Sequence, residues 1–187
     1  MRVALSGGRD SIVLLHALHE ARRDDTSWAL QAHHVHHGLS LNADAWVAHC
    51  EAVCRALMVP LTVSRVHVDR NDPRGIEAAA RDARYAALRA GATGDRSKPA
   101  TGATIIALAH HARDQAETVL LGLARGSGTR SLAGTRERLV ANGAEFGRPL
   151  LGLRRVVTAE ACHDWQVTVW HDPHNQDKRF TRVRVRT

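Results

Sequence analysis

Cysteine is scarce and poorly spaced for a framework: Cys50, Cys54 and Cys162 are odd in number and form no Cys-x-x-Cys. Neither a disulfide scaffold nor a cysteine-rich zinc or iron–sulfur site is indicated, and reduced thiols are expected. No stretch reaches the roughly 18 uncharged apolar residues that cross a bilayer. The N-terminus lacks a basic segment followed by an apolar run and a cleavage site, so a soluble, cytoplasmic protein is expected. A Walker A Gly-x4-Gly-Lys-Ser/Thr is missing, and so is a Gly-x-Gly-x-x-Gly dinucleotide turn. There is no internal repeat or low-complexity tract. Lysine is almost absent, because 24 of the 26 basic side chains are arginine.

What is present is ordinary globular material: 187 residues, 44% apolar and 24% charged, enough for one domain with a hydrophobic core. The excess of positive charge is uneven. Residues 120–187 carry 12 basic and 6 acidic side chains, whereas residues 1–119 carry 14 and 13. Guanidinium groups make bidentate phosphate contacts, so a polyanion at that end and a solvated Arg-rich surface are both consistent with the charge.

Apolar patterning predicts strands and helices in alternation. Arg2–Leu5 is a short strand, followed by the turn Ser6-Gly-Gly-Arg-Asp-Ser11 and a buried helix from Ile12. Strands are expected at Trp28–His37, Leu61–Val68 and Ala103–Ala109, and helices at Ala43–Met58, Ile76–Arg89 and Asp114–Arg125. Gly91–Gly102 has loop chemistry, and after the Gly126-Ser-Gly128 turn a hairpin is expected around Asn142-Gly143. The pattern indicates an α/β fold: a doubly wound, mostly parallel sheet of about five strands with helices on both faces. In such sheets ligands bind beyond the carboxyl ends of the strands. Residues 1–130 read as a nucleotide-binding core and 131–187 as an appended hairpin, helix and basic tail.

Ser6-Gly-Gly-Arg-Asp-Ser11 is the sharpest local signal. Adjacent glycines after a strand let successive amides point at one anion, beside the positive end of the next helix. A phosphate fits there, and Asp10 suits a Mg²⁺ that offsets phosphate charge. The plain alternative is a glycine turn in which Asp10 and Ser11 cap the helix. His111, Asp114, Gln115, Glu117 and Thr118 lie at three- and four-residue spacings, so several polar groups share a helix face. Paired carboxylates near a phosphate suit Mg²⁺ or proton transfer from an attacking amine, and equally an acidic helix N-terminus. His34 and His36 share a strand face and could bind one ion, although a strand end beside a nucleotide accounts for them better. Cys50 and Cys54 read as small core residues, and the four tryptophans as packing residues.

The opening hexapeptide resembles the Ser-Gly-Gly-x-Asp-Ser loop of the N-type ATP pyrophosphatases, and the wider chain resembles the tRNA(Ile)-lysidine synthetase family in five ordered places. These are His34-Val-His-His-Gly-Leu39 with Asn42–Trp46; Ile76–Arg81 with Arg84-Tyr85; Ala109–Thr118 running on to Arg125–Gly128; Arg148-Pro-Leu-Leu151; and Asp172–Asp177 with Phe180, Arg182 and Arg186. The resemblance implies an adenine nucleotide alpha hydrolase-like fold and an enzyme acting on the wobble cytidine of an isoleucine tRNA, with ATP and Mg²⁺ as cofactors and free L-lysine as co-substrate. The cytidine C2 oxygen attacks the ATP α phosphorus, pyrophosphate leaves, and lysine then displaces AMP. By that resemblance Ser6, Gly7, Gly8, Arg9, Asp10 and Ser11 would cradle the phosphates with His34 and His36 at the nucleotide. Asp10 and Asp114 would lie near Mg²⁺, and Asp10, His111, Asp114, Glu117 and Arg125 would serve the chemistry. Arg182, Arg184 and Arg186 would face tRNA. The oligomeric state, a homodimer included, is left open.

Three departures stand out. Arg113 occupies the place where the family has the first Asp of an Asp-Asp pair, Val183 replaces the usual Asn after Arg182, and the chain stops before the C-terminal domains with which many members grip tRNA. Two other readings therefore remain beside the synthetase: another ATP pyrophosphatase acting on tRNA, or a nucleotide- or tRNA-binding module without turnover.

Overall fold

The computed structural model describes residues 1–92, 104–124, 126, 133–141 and 143–169. Among them are strands β1 (Arg2–Ala4), β2 (Gln31–His36), β3 (Leu61–Arg65), β4 (Ile105–Ala107), β5 (Arg138–Ala141) and β6 (Ala144–Gly147). The helices are α1 (Arg9–Asp24), α2 (Ala43–Ala56), α3 (Ile76–Ala92), α4 (Ala112–Ala124) and α5 (Arg155–Asp164). No helix among the described residues is long and apolar enough to cross a membrane.

The strands form one sheet in the order β3-β2-β1-β4-β6-β5, one strand more than expected. β1 lies between β2 and β4, both parallel to it, with Val3 opposite Ala32 on one side and Ala107 on the other. β6 continues the parallel run beside β4, and β5 closes the edge antiparallel to β6. The hairpin expected around Asn142-Gly143 thus forms part of the sheet. Its turn uses Gly143 at φ +76°, where a side chain would be strained; Asn142 lies outside the described residues.

Strand alternation sends side chains to two cores. Val3, Leu5, Ala32 and Ala107 meet Ile12, Leu14 and Leu15 of α1 and Cys50 and Cys54 of α2 on one face. Val35, Ile106, Leu108 and Phe146 meet Leu88 and Tyr85 of α3 on the other. Val3, Ile12, Leu15 and Ile106 are fully buried, and each such side chain contributes roughly 1.5–3 kcal/mol of transfer free energy.

Element ends depart from the apolar pattern where polar residues serve the sheet's open edge. α1 begins at Arg9, not at Ile12: its first turn is polar, with Asp10 beside the positive helix end. α4 likewise begins at Ala112, before Asp114. β2 and β3 are shorter than expected, and Val68, beyond the end of β3, is buried nonetheless. α3 runs through Gly91 and Ala92, which read as the start of a loop. Glycine is required there by close approach, because a Cβ at position 91 would lie 2.6 Å from both Arg2 Nη1 and His33 Cε1. The rest of the expected loop, the Gly126–Gly128 turn beyond Gly126 and Trp170 lie outside the described residues.

Candidate functional site

Chain order places β1, β2 and β3 on one side and then crosses to β4 on the other side of β1. The crevice beyond the carboxyl ends of β1 and β4 is the topological switch point of the sheet, where doubly wound folds bind ligands.

The loop leaving β1 is held in shape by its own hydroxyls. Ser11 Oγ donates to the Gly8 carbonyl at 2.8 Å and accepts from the Ser6 amide at 3.2 Å. Ser6 Oγ lies 3.0 Å from Ser11 Oγ and accepts from the Gly8 amide at 3.3 Å. Ser11 is therefore a buried brace of the turn, not a cap on the helix. Gly7 adopts φ +83°, and a Cβ there would lie 3.2 Å from Cys50 Sγ, so both its dihedral and the floor beneath it favour glycine. Gly8 precedes α1 with no side-chain cap, which leaves the positive helix end available to an anion.

The floor of the loop comes from β2 and α2. His34 is buried with Nδ1 2.9 Å from the Leu5 carbonyl and 3.4 Å from Cys50 Sγ. It thereby braces the strand that leads into the loop. Burial lowers the His34 pKa and pushes the Cys50 thiol up to about 12, so both groups sit neutral under the turn. His36, farther along the same face, lies 3.5 Å from Asp44 and 3.3 Å from Arg65 Nη1. The two histidines thus face different partners. Among the described residues, no group of three or more His, Cys, Asp or Glu side chains is arranged so that it could hold a metal ion by itself.

Charged groups meet across the crevice. Asp10 comes from the first turn of α1, and His111 and Asp114 from the entry to α4. His111 is buried, with Nε2 3.7 Å from Asp10 Oδ2 and Nδ1 3.3 Å from Asp114 Oδ2. Its backbone amide donates to the same Asp114 oxygen at 2.9 Å, so Asp114 both caps α4 and flanks the imidazole. Asp10 Oδ1 accepts from Thr158 Oγ1 of α5 at 2.5 Å, with Arg9 Nε at 3.6 Å. Glu117 is buried one turn farther along α4, where its Oε1 lies 3.7 Å from Arg113 Nε. The positive charge at Arg113 therefore leans along the helix onto Glu117, an i,i+4 pair.

Not every polar residue of α4 turns to the crevice. Gln115 clamps a neighbouring segment: its Nε2 donates to the Thr135 carbonyl at 3.2 Å and its Oε1 accepts from the Thr135 amide at 2.7 Å. Thr118 Oγ1 donates back to the Asp114 carbonyl at 2.8 Å. Arg125, Arg182, Arg184 and Arg186 lie outside the described residues. Two contributors were not read as site residues in the sequence, although Arg148 opens one of the five resembling segments. Thr158 reaches Asp10 from 148 positions away. Buried Arg148, just past β6, donates to His110 Nδ1 at 3.2 Å and to the Arg136 carbonyl at 2.5 Å, tying the segment beside His111 to the end of the sheet.

Asp10 offers a carboxylate at the rim of a phosphate-shaped turn. That donor suits Mg²⁺, which binds through one or two carboxylates plus substrate phosphates and keeps several waters. Asp114 Oδ2 accepts from the His111 amide and Asp10 Oδ1 from Thr158; Asp10 is the carboxylate in the first turn of the helix that leaves the glycine loop.

Known proteins bear on this geometry. A tRNA(Ile)-lysidine synthase of Chromobacterium violaceum is 46% identical over 186 residues, and one of Pseudomonas aeruginosa 45% over 184. Each pairing takes in 98% of this chain but 40% and 39% of the relative, so the chain spans about two fifths of their length. Among solved structures, the U34-tRNA thiolase NcsA from Methanococcus maripaludis with its 4Fe-4S cluster aligns at a TM-score of 0.76. That alignment covers 92% of this chain and 58% of the thiolase at 17% identity, a likeness of fold alone. The PP-loop domain model matches residues 1–187, and with a glycine turn of this kind at the switch point of a parallel sheet, the chain belongs to the PP-loop domain family.

Proposed function

We propose that this chain is the ATP-using catalytic domain of a cytoplasmic enzyme that joins lysine to C2 of the wobble cytidine of isoleucine tRNA. The observation that carries the reading is the meeting of Asp10, at the phosphate turn, with His111 and Asp114 across the switch point. The high identity to named lysidine synthases over nearly the whole chain supports the substrate class.

In this reading Ser6, Gly7, Gly8, Arg9 and Ser11 shape the turn that receives the ATP phosphates, and the α1 N-terminus faces their charge. Bound Mg²⁺ would neutralise part of that charge, with Asp10 as its protein ligand and the phosphates completing the set. Preorganised donors aimed at developing charge are usually the largest contribution to such a transfer. The cytidine C2 oxygen attacks the α phosphorus and pyrophosphate departs. The lysine amine then attacks C2, loses a proton and expels AMP. Glu117 and the Asp114–His111 pair are the groups suited to hold that proton, since each sits within one helical turn of the crevice. Arg125 would lie at the phosphates, His34 and His36 would support the nucleotide side, and Arg182, Arg184 and Arg186 would face tRNA.

ATP–pyrophosphate exchange measured with and without isoleucine tRNA tests this. Exchange that requires the tRNA is the expected result. Exchange supported by a different tRNA would favour another ATP pyrophosphatase of the family, and ATP binding without exchange would favour a module without turnover. Iron–sulfur chemistry of the thiolase kind is disfavoured by Cys50 and Cys54, which are both buried in the core.

A further inference from the structure

α5 is the last described helix, and it packs on α1. Its one fully buried polar side chain among the described residues, Thr158 at 1% exposure, is aimed at the start of α1. Thr158 Oγ1 lies 2.5 Å from Asp10 Oδ1 and 3.0 Å from the carbonyl of Arg155. A hydroxyl has one proton. The shorter contact to a charged acceptor takes it, since hydrogen bonds to carboxylates are shorter and stronger than those to neutral carbonyls. With Oδ1 held by Thr158, Oδ2 is the oxygen that faces His111 Nε2 at 3.7 Å.

A carboxylate in the first turn of a helix rotates about two side-chain bonds, and nothing in the Ser-Gly-Gly-Arg-Asp-Ser turn itself fixes that rotation. Arg9 Nε, at 3.6 Å, is beyond hydrogen-bond range. The donor that selects one orientation comes from α5. We infer that Thr158 is a positioning residue: it fixes the carboxylate plane of Asp10, so that Oδ2, the oxygen left to accept, is directed into the crevice beside His111. This inference rests on the reading of Asp10 as the carboxylate that meets Mg²⁺ with ATP. It adds that the C-terminal part of the domain sets the geometry of the N-terminal loop through one hydroxyl.

The test is titration calorimetry of the 187-residue chain with ATP, in Mg²⁺ and in EDTA, on the wild type, Thr158→Val, Thr158→Ser, Asp10→Asn and Asp10→Asn/Thr158→Val. Thr158→Val keeps the side-chain shape and removes the donor. It is expected to weaken ATP binding about tenfold in Mg²⁺ and by less than about twofold in EDTA, with Thr158→Ser restored to near wild type. The double variant is expected to bind like Asp10→Asn alone, because the two residues act as one unit. Equal ATP affinity of Thr158→Val and wild type in Mg²⁺ overturns the inference, as does a loss that adds in full to that of Asp10→Asn. Should Thr158→Val fail to fold, Thr158→Ser, which keeps the donor, and Thr158→Ala, which lacks it, make the same comparison. An Asp10→Asn protein with no Mg²⁺-dependent loss overturns both the role of Asp10 and this inference. Wild-type Mg²⁺–ATP binding without lysidine formation would remove the proposed reaction and leave the Thr158 cycle readable.

Discussion

Two strand ends of the same sheet carry dense polar sequence and treat it in opposite ways. Beyond β1 and β4, Asp10 and Asp114 approach the His111 imidazole from either side, at 3.7 and 3.3 Å. Along β2, the histidines turn into the two faces of the sheet instead. His33 meets Ser64 Oγ at 2.9 Å, and His34 meets the Leu5 carbonyl at 2.9 Å. Four histidines between positions 33 and 37 look more like a ligand site than one histidine beside two carboxylates does. The sheet topology decides otherwise: β1 and β4 flank the point where chain order reverses, and only there do two loops diverge and leave room for a ligand. A strand buried between two helix layers has to hide its polar side chains as neutral groups, whereas a crevice at the open edge can present charge to a ligand.

The largest expected effect falls on the crevice side of this contrast. Asp10→Asn and Glu117→Gln should each lower lysidine formation by about 10³-fold or more. Thermal stability should stay close to wild type. The side-chain carbonyl left by Asp10→Asn can still accept from Thr158, and the lost charge assistance is worth about 1 kcal/mol. Parallel activity assays and melting curves decide the matter. A variant that unfolds, while turnover per folded molecule is unchanged, would return these residues to the structural class now occupied by the β2 histidines.

Next in size is the turn itself. Gly7→Ala places a Cβ at φ +83° and 3.2 Å from Cys50 Sγ, a backbone cost of roughly 1–2 kcal/mol before any contact strain. Because the strain sits between the loop and its floor, ATP affinity should fall in step with stability. Gly38, also at positive φ but with nothing within 4 Å of its Cβ, is the control: Gly38→Ala should lose stability without losing ATP affinity. Equal loss of affinity in both would mean that the turn after β1 has no special relation to the nucleotide.

Much of this was legible in the sequence, and the illegible part has a common cause. The strand–turn–helix opening, the parallel alternation and the hairpin at Gly143 follow from local periodicity and glycine, which act over a few residues. So does the gathering of His111 and Asp114, because helix spacing alone brings them together. The roles of Gln115 and Thr118 were not legible, since a shared face does not say which neighbour a side chain reaches first. Gln115 is spent on Thr135, whose backbone needed both of its hydrogen bonds met. Gly91 looked like a loop residue because its reason for being glycine, the side chains of His33 and Arg2, lies on other strands. Thr158 is the extreme case: a threonine among valines and alanines has no pattern of its own, and its meaning comes wholly from Asp10 at the far end of the chain.

The smallest effect tests the other half of the contrast, that His33 on β2 and His37 at its carboxyl end are held neutral. Burial, with Arg2 and His34 nearby, lowers the His33 pKa to about 4, and burial, with Arg84 and its histidine neighbours, does the same for His37. An unfolded histidine titrates near 6.5. Between those values the unfolded chain binds more protons than the folded one, so stability rises with pH there. What these two sites contribute is fully present above about pH 6.5 and is lost progressively as the pH falls toward about 4. Melting temperatures at about pH 7 and about pH 4.5, which bracket that window, should therefore differ by less in His33→Gln and His37→Gln than in the wild type. His163→Gln is the reference, because that side chain is 91% exposed, and it should leave the difference as it is. If all three variants kept the wild-type difference, His33 and His37 would be titrating like solvent-facing groups, and the distinction between a strand that hides its polar side chains and a crevice that presents them would fail on its quieter side.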